Sequence, residues 1–203
     1  QAVQCLGRLN RLHEQDALVE QAVAAHTDNW RLLAQAAEIY QRDTHNGFIL
    51  SGAFRRGGHR GGGESANAMA RDRVRALQLQ LKAIGVQRDA SDAERASLYM
   101  SLAAYVQSGR DNYRSWRLQY LTDLDELPDY EKQYWYYYGG DEAQGAPVDV
   151  DGNPVFYVTP QGWNGAANDG ERWRWALEEA ARLNPTLRNQ VSATLADFCY
   201  QQY

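Results

Sequence analysis

Arg55, Arg56, His59 and Arg60 stand together in the glycine-dense stretch GFILSGAFRRGGHRGGG, Gly47 to Gly63. Three guanidiniums among flexible backbone N–H groups are the ingredients of an anion or phosphate cradle, placed here before a helix expected near Glu64. The Gly-Lys-Ser/Thr ending of a phosphate-binding P-loop is absent, and a Gly/Arg-rich loop is more often a structural connection whose arginines pair with nearby carboxylates. Tyr136 and Trp163 belong to a second glycine-dense stretch, Tyr134 to Trp163, and are the candidate recognition aromatics, suited to stacking on sugars. Carboxylates gather at Asp123, Asp125, Glu126, Asp129 and Glu131, and again at Asp141 and Glu142. Glycoside hydrolysis needs two acids fixed across a cleft, and nothing in this spacing fixes such a pair.

Other chemistries find less. Asp149, Asp151 and Asn153 place oxygens at alternate positions, as a calcium loop does, but Pro154 and Pro160 stand where an EF-hand needs its glycine and its last acid. A hairpin turn is the better reading. His13, His26, His45 and His59 lack the spacing of a zinc site, and Cys5 and Cys199 lie at opposite ends of the chain. No G-x-S-x-G elbow or Cys/His nucleophile setting is present. The expectation is a chain that is not an enzyme and carries neither metal nor cofactor.

With 21 basic and 26 acidic residues among 203, the net charge of −5 argues against nucleic acid or an anionic membrane as partner. No apolar stretch is long enough to insert in a membrane. Residue 1 already falls in an apolar-periodic segment and the closing run to Tyr203 has no stop signal, so the chain reads as a piece of a larger protein.

The elements that would position these residues are helical. Ala2, Cys5, Leu6 and Leu9 recur at helical period, then Leu18, Ala22 and Ala25. Thr27 or Asp28 can cap a third helix bearing Trp30, Leu33, Ala34, Ala37 and Tyr40 on one face. Ala70, Val74, Leu77, Leu81 and Ile84 form the clearest pattern, stopped by Gly85. Ser91 and Glu94 make a capping box ahead of a helix ended by Gly109. Trp173, Ala176, Leu177 and Ala180 share a face of a helix capped near Asn168 or Asp169, with Trp175 on its other side. Pro185 suits the first position of a last helix carrying Leu187, Val191, Leu195 and Phe198.

A 51-residue offset between the hairpin near His13 and the helix near Glu64, less the 17 residues from Gly47 to Gly63, leaves 34, the tetratricopeptide period. Trp30, Leu33 and Ala34 fit the opening of that repeat. The expected fold is therefore all-α: one domain over 1–203, a tetratricopeptide-like α-solenoid of stacked helical hairpins. Two Gly-rich insertions, 43–63 and 134–167, interrupt it, the second with a short β-hairpin around Val148 to Val158.

Several uncommon strings in one order, among them QAVQCLGRLNR, TDNWRLLAQAAEIY, GFILSGAFRRGGHRGGG, WRLQYLTDLDELPDYE and NDGERWRWALEEAARLNP, resemble the N-terminal helical region of very large bacterial alpha-macroglobulin-type proteins. The resemblance implies a periplasmic, cell-surface or secreted polypeptide whose other domains trap proteases. The Cys-Gly-Glu-Gln thioester motif of that family is absent: Cys5 and Cys199 are followed by Leu-Gly-Arg and Tyr-Gln-Gln. The function expected is a non-enzymatic scaffold or protein-interaction region, whose partner is another protein or the remaining domains of the same polypeptide. A glycan-binding or glycan-cleaving domain using the aromatics of 134–163 is the alternative.

Overall fold

The computed structural model of the chain describes residues 2–109, 115–132, 151 and 158–200. Among these residues the helices are α1 (Ala2–Arg8), α2 (Gln15–Ala25), α3 (Trp30–Arg42), α4 (Met69–Gly85), α5 (Asp92–Gln107), α6 (Asp169–Leu183) and α7 (Arg188–Tyr200), and the strands are β1 (Asn46–Leu50), β2 (Ala53–Arg56), β3 (Glu64–Asn67) and β4 (Glu131–Lys132). The chain divides into two compact units, Gln1–Val86 with Leu124–Tyr137, and Gln87–Asp123 with Tyr138–Tyr203.

An all-α solenoid is not what this sequence forms. The stretch excised to obtain a 34-residue period is structure: β1, β2 and β3 form an antiparallel sheet in the order β2-β1-β3-β4, closed by Ala66 against Lys132 and Asn67 against Glu131. The β1–β2 hairpin pairs Leu50 with Ala53, and Ser51 and Gly52 both take positive φ, the backbone that a two-residue turn between right-twisted strands requires. Gly47 serves another need. A Cβ there would lie 2.3 Å from the Arg55 carbonyl oxygen and 2.7 Å from the Phe54 ring, so β1 and β2 approach this closely only without one. On the sheet, Phe54 stacks on Tyr130 at 4.3 Å between centroids, and the Arg71 guanidinium lies over Tyr130.

In the first unit, α3 packs on α4 with Trp30, Leu33, Ala36, Ala37 and Tyr40 buried from one side and Val74, Ala76, Leu77, Leu79 and Ala83 from the other. The cap of α3 is Asn29, whose side chain accepts from the Leu32 N–H, rather than Thr27 or Asp28. α2 is rotated from the expected orientation: it buries Gln15, Val19 and Val23, leaving Leu18 and Ala22 outside that core. α1 buries none of its residues.

In the second unit, α5 carries the capping box of Ser91 and Glu94 and packs along α6. Trp173 is fully buried on α6 and meets Phe198 of α7 at 4.8 Å. Pro185 opens a short 3₁₀ turn, Pro185–Leu187, ahead of α7. Cys5 on α1 and Cys199 on α7 are exposed, free thiols.

Candidate functional site

Strand alternation separates the four basic residues that the sequence groups. Arg55 points to solvent while Arg56, one residue on, is buried, and His59 and Arg60 are exposed in the segment joining β2 to β3. The His59 ring leans on Phe48 at 5.8 Å.

Arg56 is bound by carboxylates. Its Nε and Nη2 donate to Asp16 on α2 at 2.9 and 3.1 Å, its Nη1 and Nη2 donate to Asp72 on α4 at 2.6 and 2.9 Å, and Nη1 also donates to the Thr44 carbonyl at 2.7 Å. The side chains of Arg56 and Asp72 are only 2% and 3% exposed. His45 Nδ1 lies 2.8 Å from Asp72 Oδ2. Burial opposes the Arg56 charge, but hydrogen bonds to Asp72 and Asp16 outweigh it and hold the guanidinium more firmly protonated than usual. One planar fork thus joins the sheet to two helices. A second tie lies beside it: Glu20 of α2 accepts from Tyr40 of α3 and, through both oxygens, from Arg75 of α4. Burial alone would raise the Glu20 carboxyl, yet the bonds from Arg75 and Tyr40 prevail and lower it.

Asp72 was missed in the sequence, though it carried a signal. It occupies the buried stripe Asp72, Ala76, Leu79, Ala83 of α4, and a carboxylate inside an apolar stripe demands a buried cation. Asp16 likewise shares a face with Val19, Glu20 and Val23.

Asp43, just past α3, is placed differently. Its Oδ2 is buried, and the amide of the fully buried Gln15 acts on the same carboxyl. Burial, the largest influence, raises the Asp43 carboxyl above its ordinary range despite the pull of Arg56 and His45. A carboxyl raised in the folded state binds its proton more tightly there than in the unfolded chain. Its contribution therefore favours folding in acid, below the unfolded value of about 3.9, and is lost as pH rises through the folded value. Asp43→Asn is accordingly expected to raise the melting temperature at pH 7, by an amount that shrinks toward pH 4. Thermal melts of both proteins at the two pH values check this, and a variant less stable at pH 7 would show that the ionised carboxylate is favourable.

Alongside these ties, α1, α2 and α3 border a groove of about 670 Å³. Leu18 and Ala22 line it from α2, Leu32, Gln35, Glu38 and Ile39 from α3, and the start of α1 closes one side. Glu38 is paired with Arg42 at 2.8 Å. It is a concave, largely apolar surface of the first unit.

No protein-family model, curated protein or solved structure matches this chain.

Of the two recognition aromatics, Tyr136 lies outside the described residues, as does most of the hairpin expected around Val148 to Val158. Trp163 is half-buried in a 3₁₀ turn, Trp163–Gly165, with the Arg172 guanidinium 4.5 Å from its ring centre. It meets Trp175 edge-on at 6.2 Å, and Trp175 meets Tyr99 of α5 at 5.4 Å and 81°. Asp169, buried at the start of α6, accepts from the Thr122 backbone N–H and hydroxyl and from Arg172. Among the described residues no three His, Cys, Asp or Glu side chains gather as metal ligands.

Proposed function

We propose that this chain is a non-enzymatic protein-interaction region of a larger extracytoplasmic polypeptide of the alpha-macroglobulin type. The observation that carries the interaction reading is the groove bordered by α1, α2 and α3, which offers apolar side chains in a concave surface, while Arg56 with Asp72 and Asp16, and Arg75 with Glu20, are turned to each other as internal ties. Concave apolar surface is where proteins bind others. The resemblance of several uncommon strings, in one order, to the helical region of bacterial macroglobulins supports the setting.

The test is made on the whole natural polypeptide in its source cells, treated with a membrane-impermeant crosslinker. A discrete protein adduct is expected, lost when residues 1–203 are replaced by a Gly/Ser linker. Adducts unchanged by the replacement would overturn the interaction role, and a polypeptide untouched by the reagent would overturn the extracytoplasmic setting.

Glycan binding is the second reading, favoured by the half-exposed series Trp163, Trp175 and Tyr99, since sugars stack on such rings. Tryptophan fluorescence unmoved by neutral oligosaccharides, in the wild type as in Trp163→Ala, would remove it.

A further inference from the structure

Resting on the interaction reading, we propose that the groove of the first unit docks one amphipathic helix from a partner chain, whose apolar stripe runs along Leu18, Ala22, Leu32 and Ile39 and whose flank sets a basic side chain against Asp43. Three features of the groove lead there.

The first is the pair of walls. α2 buries Val23 inward and ties Asp16 and Glu20 inward as well, while Leu18 and Ala22, four residues apart, form a row along the groove beside the buried Val19. α3 does the same: Trp30, Leu33, Ala37 and Tyr40 are buried, and Leu32 and Ile39, seven residues apart, form a second row on the groove side. A helix that is apolar on two sides has two neighbours to satisfy, and in each case the protein itself supplies one. Leu18 is 36% exposed, an apolar side chain held out to solvent beside this row. Rows at helical spacing on two walls are the receptor geometry for a third helix, read as i, i+3, i+4, i+7 anchors.

The second is charge. The lining carries two carboxylates, Glu38 and Asp43, and one guanidinium, Arg42. Arg42 lies 2.8 Å from Glu38, and Glu38 also accepts from Gln35, so Asp43 is the lining acid with no ion pair inside the groove, although Arg56 and His45 act on it from outside the lining. Arg56 of the sheet, which acts on Asp43, is engaged by Asp16 and Asp72. A Lys or Arg on the incoming helix is the complement, and such complementarity fixes register and discriminates between partners.

The third is α1. It contributes Ala2 and Val3 to the lining but buries none of its own residues, so little packing free energy holds that side of the groove closed.

Two synthetic helix-forming peptides with one apolar stripe, Leu at i, i+3, i+4 and i+7, serve as probes. One has Lys on its flank and the other Glu at the same positions. Both are titrated by fluorescence anisotropy into the full chain and into Leu18→Gln, Ile39→Gln and Asp43→Asn, none of them a hydrogen-bond partner of Arg56; circular dichroism verifies the fold of each. The Lys peptide is expected to bind saturably and about tenfold more tightly than the Glu peptide. Leu18→Gln and Ile39→Gln each weaken both peptides, and Asp43→Asn removes the preference for Lys. Equal binding of both peptides to wild type, binding indifferent to Leu18→Gln and Ile39→Gln, or no binding overturns the proposal. Concentration-dependent self-association abolished by Leu18→Gln would give the groove to a second copy of this chain and overturns it too. In the crosslinking experiment, an adduct that persists in the Leu18→Gln/Ile39→Gln polypeptide sinks the groove while the interaction reading survives; loss of every adduct from the wild type sinks the interaction reading itself.

Discussion

Arg56→Ala is expected to cost about 3–5 kcal/mol of stability, read as a lowered midpoint in urea denaturation. The guanidinium is the common partner of Asp16 and Asp72 and also bonds the Thr44 carbonyl, so its loss strips the sheet of its polar connection to α2 and α4. Asp72, 3% exposed, would then keep only His45 beside it. Lysine at this position would not restore the wild type, because one ammonium cannot reproduce a planar fork with two bidentate partners. Replacing both charges, Arg56→Met with Asp72→Leu, is expected to recover much of the loss, since a buried pair removed whole leaves no orphaned charge. An Arg56→Ala unfolding free energy within about 1 kcal/mol of wild type would mean that the tie is solvated and contributes as little as a surface pair.

The second large effect belongs to the other unit. Trp173→Ala is expected to cost about 3–5 kcal/mol, from lost transfer energy together with the cavity left against Phe198 and Leu177. Trp163→Ala is the internal control. That ring is half-buried in a short turn, so its truncation should cost clearly less. Denaturation of the two variants followed by far-UV circular dichroism gives the comparison, and equal losses would show that Trp173 is not the centre of this core.

Periodicity made the helices legible because a packed helix must repeat its apolar residues. The stripe of α3, the capping box at Ser91 and Glu94 and the split between Trp173 and Trp175 were readable, whereas α4 buries Val74 and Leu77 of its expected stripe together with Asp72, Ala76, Leu79 and Ala83, and leaves Ala70, Leu81 and Ile84 half-buried. The face of α2 was not. Leu18, Ala22 and Ala25 looked like its core stripe, but the buried positions follow Asp16 and Glu20, whose partners Arg56 and Arg75 are distant in sequence. The sheet was hidden for a related reason. Ala53, Phe54, Arg55 and Arg56 show no apolar alternation, and their inward residue is an arginine made tolerable only by two carboxylates on helices. The Ser51–Gly52 turn between Leu50 and Ala53 was the one local sign of a hairpin. β4 has only two residues and finds its partner across the whole of α4 and α5, a distance over which no local pattern reports. Within the candidate site, the clustering of Arg55, Arg56, His59 and Arg60 along the chain did not carry into space, since a strand sends adjacent side chains to opposite faces.

The two thiols, finally, make the chain its own reporter. Cys5 sits on the least buried helix of one unit and Cys199 near the end of the other, both open to solvent and unpaired. Cys5→Ser and Cys199→Ser each leave a single attachment point for a polarity-sensitive dye without touching a core. The unfolding of either unit then has its own optical signal, and whether one transition or two describes the molecule becomes a matter of overlaying two curves.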